Sequence, residues 1–180
     1  MPDKKKIAEI IRVNHAGEFG AKVIYDGQIA ALKLKQDQES INLVKHMKEQ
    51  EDVHFDYFNH EISNQQIRPT IMQPVWKVGG FALGFLTAIV DKKAAMCCTT
   101  AVEEVIDEHY QQQLNLLKQE ENSSAKEKEL IEKIEKFRAE ELEHRDIGYE
   151  HKALELSYFG PLSTFVKCAT KFAIAVSKKI

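Results

Sequence analysis

The stretch Phe137-Arg138-Ala139-Glu140-Glu141-Leu142-Glu143-His144-Arg145-Asp146-Ile147-Gly148 puts a glutamate and a histidine where a packed helix keeps its apolar side chains. Steps of three and four residues lead through Leu130, Ile134, Phe137, Glu141, His144 and Gly148, which is the spacing of one helix face. A second stretch does the same through Val44, Met47, Glu51, His54 and Phe58. The motif Glu-x-x-His therefore occupies the inward seam of two separate helices. Two more helices supply single glutamates. Ile11, Glu18, Tyr25 and Leu32 share one heptad position, and Met96, Glu103, Tyr110 and Leu117 share another. The order glutamate, tyrosine, then Glu-x-x-His occurs twice, a weak internal repeat of two helical hairpins.

The rest of the chain agrees with a helical reading. It has 180 residues, 43% hydrophobic and 29% charged, with only 8 Gly and 4 Pro. That is the composition of one helix-rich domain, here taken as residues 1–180. The spacing predicts long helices from about Lys5 to Gln36, after an N-cap at Ser40, from near Lys93 to about Glu120, and after a turn at Asn122-Ser123-Ser124. Arg68-Pro69, Pro74 and Gly160-Pro161 read as breaks. The fold class is all-α, a four-helix bundle with added apolar segments near 71–90 and 161–177. The first segment is short and glycine-interrupted for a span of roughly 20 apolar residues. Together the two are expected to form an apolar surface that lies on a bilayer, the alternative being core helices of a larger bundle. Phe81, Leu83, Phe85 and Leu86 are the expected substrate or membrane contacts.

A formal net charge of −3 offers no basic surplus for nucleic acid. Cys97, Cys98 and Cys168 form no CxxC pair, which suits a reduced compartment. The first residues, MPDKKKIAEIIRV, lack the apolar core of a secretory leader and the pattern of a transit peptide. The expectation is a bacterial cytoplasmic chain or a mature form.

Four carboxylates buried together repel one another, and each costs several kcal/mol to bury unpaired, on the order of other desolvated ions. A pair of divalent cations reverses the balance, because four glutamates and two neutral imidazoles then sum with the metals to about zero. Mixed carboxylate and imidazole donors suit iron or manganese rather than thiolate-held zinc. Glu18, Glu51, His54, Glu103, Glu141 and His144 form the ligand set of ferritin-like di-iron bundles, and two Fe ions per chain are expected. Glu49, Glu61, Glu104, Glu108, Glu140 and Glu143 read as solvated helix charges, and His15, His109 and His151 either as partly exposed polar residues or as hydrogen-bond partners of the ligands. Tyr25 and Tyr110 read as core tyrosines. Tyr110, a heptad beyond Glu103, is the better candidate for a catalytic electron or proton role.

Several strings resemble the demethoxyubiquinone hydroxylases. They are Arg12-Val13-Asn14-His15-Ala16-Gly17-Glu18, Gln50-Glu51-Asp52-Val53-His54, Arg68-Pro69-Thr70 and Gly80-Phe81-Ala82-Leu83-Gly84. Ala101-Val102-Glu103-Glu104 with His109-Tyr110, and the opening Phe137–Gly148 stretch, complete them. The likeness runs in order along nearly the whole chain, and Asn14 departs from it where Asp is expected. It implies O2-dependent hydroxylation of the ring of a polyprenyl demethoxyubiquinol in ubiquinone biosynthesis, with iron on the same six residues. It also implies peripheral attachment to the cytoplasmic face of a bacterial inner membrane, or the matrix face of the mitochondrial one. A lipid-binding partner protein can present substrate in that family, and an oligomer is compatible with the sequence. The competing readings are another ferritin-like redox activity (peroxidase, manganese catalase or iron oxidation) and a metal-free lipid-binding helical module.

Overall fold

The computed structural model describes residues 4–119 and 124–179. Six α-helices account for most of them: α1 Lys4–Leu34, α2 Gln38–Asn64, α3 Gln73–Val90, α4 Lys92–Leu117, α5 Ala125–Glu150 and α6 Phe159–Ser177, with a short 3-10 turn at Ala153–Glu155 before α6. No strand occurs among the described residues. The all-α expectation holds, in a form consistent with a ferritin-like bundle.

Helices α1 and α2 form one hairpin and α4 and α5 the other. Helix α3 lies along α1, and α6 lies along α4. The internal repeat thus extends beyond the hairpins, since each half is a Glu–Tyr helix, a Glu-x-x-His helix and an apolar helix. Two apolar clusters fill the bundle. One gathers Tyr25, Leu32, Val44, Met47 and Met96. The other gathers Ile11, Phe58, Tyr110, Ile134 and Phe137. The seam glutamates and histidines lie between these clusters in sequence and are themselves buried. Apolar layers on both sides thus hold the polar layer at mid-bundle.

The helix ends show where sequence reading slips. Helix α2 is capped by Asp37, not Ser40. The Asp37 carboxylate accepts from the Ser40 backbone N–H at 3.1 Å and from its hydroxyl at 2.8 Å, so Ser40 sits inside the first turn. Ser124 does cap α5, in a reciprocal box with Glu127. Asn122, Ser123 and Glu120 lie outside the described residues. Gly160-Pro161 lies within the first turn of α6 rather than breaking it, a place where proline's missing N–H goes unused. Pro74 likewise opens α3.

The apolar segment after Pro74 is a continuous 18-residue helix, and its glycines do not interrupt it. They let α3 approach α1 closely. A Cβ at Gly84 would lie 1.9 Å from the Ile24 carbonyl oxygen, and one at Gly27 would lie 2.2 Å from that of Phe81. Helix α3 is long and apolar enough to cross a membrane, by length and composition alone, and only 17% of it is buried.

Candidate metal centre

Each of the four helices that carry a seam glutamate is long enough to hold it away from fraying ends. Around the centre, Glu18, Glu51, His54, Glu103, Glu141 and His144 are all 4% exposed or less. They form two overlapping groups whose donor atoms lie within 4.8 Å of one another: Glu18, Glu51, His54 and Glu141, and then Glu51, Glu103, Glu141 and His144. Glu51 and Glu141 belong to both. Glu141 directs Oε1 to His54 Nδ1 at 3.1 Å and Oε2 to His144 Nδ1 at 3.2 Å. Glu51 directs Oε2 to His54 Nδ1 at 3.8 Å and Oε1 to His144 Nδ1 at 3.2 Å. Two glutamates thus span the centre, while Glu18 and Glu103 sit at its two ends. The sequence names all six of these residues, and the fold brings all six together.

The tyrosines cross between the halves. Tyr25, on the helix of Glu18, donates to Glu103 Oε1 at 2.9 Å. Tyr110, on the helix of Glu103, donates to Glu18 Oε1. Burial raises both phenol pKa values well above 10, so both remain neutral donors that fix a terminal carboxylate. The two positions are equivalent, and the geometry does not single out Tyr110.

The outer imidazole nitrogens settle which nitrogen faces inward. His54 Nε2 donates to Glu140 Oε2 at 2.7 Å, and His144 Nε2 donates to Gln50 Oε1 at 2.7 Å. Both rings therefore turn Nδ1 to the centre. Glu140 is a half-buried hydrogen-bond partner rather than a solvated charge, which corrects the sequence reading. Sequence reasoning missed Gln50 altogether. The only available signal was that each immediately precedes a seam glutamate. Glu104 also departs from the solvated reading, since it accepts from Tyr149 at 2.5 Å and pairs with Lys167 of α6. His15 is buried against Phe55, His109 meets Gln113, and His151 is exposed; none of the three joins either donor group.

The donor atoms fit a metal. Both oxygens of Glu51, Oε2 of Glu103 and of Glu141, and Nδ1 of His144 are buried without a hydrogen bond. Without metal, the centre must gather protons instead. Burial, then the charge of Glu141, pushes Glu51 and Glu103 well above the usual carboxylate range. Burial works against the His54 imidazolium, but Glu141 and Glu18 outweigh it and push its pKa up to about 12. His144 is pushed up to about 11, burial again being outweighed, here by Glu141 and Glu51. Glu141 is held well below its usual value, because its two histidine contacts outweigh burial.

The four apolar residues expected at the substrate or membrane divide. Phe81 and Leu86 point outward, 43% and 59% exposed. Phe85 packs on the core, and Leu83 lines a cavity of about 250 Å³ bounded by α1, α3, α4 and α6. Gly17 and Val102, neighbours of Glu18 and Glu103, form part of that cavity's wall.

The family model for the ubiquinone biosynthesis protein COQ7 matches residues 5–177. The chain belongs to this family. Among COQ7 relatives, the mitochondrial NADPH-dependent 3-demethoxyubiquinone 3-hydroxylase of Dictyostelium discoideum is 46% identical, over 98% of this chain and 79% of its own length. The 3-demethoxyubiquinol 3-hydroxylase of Rhodospirillum rubrum is 43% identical, over 97% and 78%. The human NADPH-dependent 3-demethoxyubiquinone 3-hydroxylase is 41% identical, over 97% and 78%.

Proposed function

We infer that this protein is a 3-demethoxyubiquinol 3-hydroxylase, which adds a hydroxyl to the quinol ring in ubiquinone biosynthesis and holds two iron ions per chain. The observation that carries the metal assignment is the doubled set of buried donors that shares Glu51 and Glu141, with five of its atoms lacking a hydrogen bond. Family membership carries the reaction.

Glu18 and His54 would hold one metal and Glu103 and His144 the other, with Glu51 and Glu141 serving both. Iron held by these residues would supply the electrons that reduction of O2 requires. The chain's own residues do the rest. Tyr25 and Tyr110 fix the terminal carboxylates by their hydroxyl protons, and Tyr110 is retained as the candidate for a proton or electron role. Glu140 and Gln50 fix the imidazoles. Apolar clusters on either side keep water out, which strengthens every charge interaction within. Several relatives are named NADPH-dependent, and a nicotinamide donor would return the electrons.

The cavity between α1, α3, α4 and α6 is apolar and suits the polyprenyl end of the substrate. Its outer helices expose Phe81 and Leu86 on α3 and Phe165 and Phe172 on α6. These faces are assigned to the bilayer, on the cytoplasmic side of a bacterial inner membrane or the matrix side of the mitochondrial one. A lipid-binding partner or a second copy would meet the same membrane-bound form. A Phe165→Asp/Phe172→Asp protein should bind anionic liposomes at least about tenfold more weakly, since each exposed Phe offers roughly 2 kcal/mol on burial. Unchanged cosedimentation would remove α6 from the membrane surface.

The test of function is reconstitution. Metal-free protein given Fe²⁺, a reductant, O2 and a short-tailed demethoxyubiquinol should release the ring-hydroxylated product. Iron uptake without product would leave a di-iron protein of other activity.

A further inference from the structure

The two halves of the centre match at nearly every polar position. Tyr25 and Tyr110 hold the opposite terminal glutamates. Glu51 and Glu141 reach both imidazoles. The outer partners of the two imidazoles do not match. Glu140 precedes Glu141 as Gln50 precedes Glu51, and each accepts the outer N–H of the histidine in the other half at 2.7 Å. One acceptor is a carboxylate and the other a neutral amide. His54 is fully buried and Glu140 is 23% exposed, with its second oxygen 3.6 Å from Lys136. At the same length, a hydrogen bond to a charged carboxylate is stronger than one to a neutral amide, and it makes the imidazole a better metal donor.

We propose that Glu140 is a positioning residue that makes the Glu18–His54 half of the centre the tighter half for a divalent metal, while Gln50 leaves the Glu103–His144 half weaker. The inference rests on the metal-centre reading above. It extends that reading from a symmetric pair of sites to an ordered one, in which the first metal enters beside His54.

Cobalt(II) is the probe, followed by calorimetry and by its visible absorption on the metal-free full-length protein. The expected result is two resolvable steps. Glu140→Gln should weaken the first by about 10- to 100-fold, the usual cost of removing a partner behind a metal-bound histidine. Gln50→Glu should tighten the second. Glu143→Gln removes the same charge from an exposed position of α5 and should change neither step. His144→Ala should keep one tight cobalt, and His54→Ala should keep only a weak one. Equal losses in Glu140→Gln and Glu143→Gln would overturn the proposal, as would a tight first cobalt that survives in His54→Ala. Absence of saturable cobalt binding in the unaltered protein would overturn the metal centre itself, and this inference with it.

Discussion

A Glu51→Gln protein should lose the metal pair and hydroxylation together, while its metal-free form becomes more stable than the unaltered metal-free protein at about pH 8. The loss follows from position. Glu51 is one of two carboxylates that serve both groups of donors, so its removal costs both metals a ligand. Activity should fall at least about 100-fold, beyond the usual effect of changing a residue behind a ligand. The gain follows from proton linkage. Glu51 and Glu103 have raised pKa values in the folded metal-free protein, and His54 and His144 are raised to about 12 and 11. Unfolded carboxylates and imidazoles titrate near about 4.3 and 6.5. Above those values the folded state holds more protons than the unfolded one, so stability falls as pH rises. Each pH unit costs about 1.4 kcal/mol for every extra proton held. The depressed Glu141 acts in the opposite direction, but only in the acid range below this window. A glutamine at position 51 mimics the protonated carboxyl. The variant should match the unaltered apo protein near about pH 5 and melt above it near about pH 8. Added iron should raise the melting temperature of the unaltered protein and not that of the variant. Retained hydroxylation, or an apo variant less stable at high pH, would sink the assignment of Glu51.

That prediction rests on a site that could be read largely from the sequence. Heptad spacing placed Glu18, Glu51, His54, Glu103, Glu141 and His144 inward because apolar neighbours one turn away shared their faces, and burial agrees for all six. Glu140 and Gln50 lie one step off those seams. Their partners are on another helix, and spacing along one helix says nothing of a bond between α2 and α5. The same limit hid the crossed tyrosines. The repeat showed a tyrosine seven residues after each glutamate, whereas each hydroxyl reaches the glutamate of the other half. Ser40 looked like the cap because a serine there satisfies the local pattern. Asp37 holds the position because its carboxylate accepts two bonds from Ser40. Glycines in 79–84 suggested interruption, since glycine weakens a helix in isolation. At Gly84 the cost is offset by contact with the α1 backbone that a Cβ would forbid.

Gly20 is the counterpart of that contact, and it carries the second large effect. It lies on α1 and lines the apolar cavity, and a Cβ built there meets nothing within 4 Å. Leucine at this position therefore has room to fold, in the space assigned to substrate. Gly→Leu inside a helix gains up to roughly 0.8 kcal/mol of helix propensity, so the protein should melt no lower than the unaltered one. None of the six proposed ligands is displaced, and iron or cobalt content should be unchanged. Hydroxylation should fall at least about tenfold, because a ring held even 1 Å out of place can cost about 100-fold. The loss should be greatest for long-tailed substrates, which need the whole cavity, and smaller for a short-tailed quinol. A Gly84→Leu protein makes the contrast, since its side chain collides with Ile24 and should unseat α3 and lower stability. If Gly20→Leu keeps full metal and full turnover on long-tailed substrate, the quinol must reach the metals by another route, and the cavity would have only a packing role. If metal and fold persist while turnover is lost, the space between α1, α3, α4 and α6 is the path by which the ring arrives beside Glu18 and Glu103.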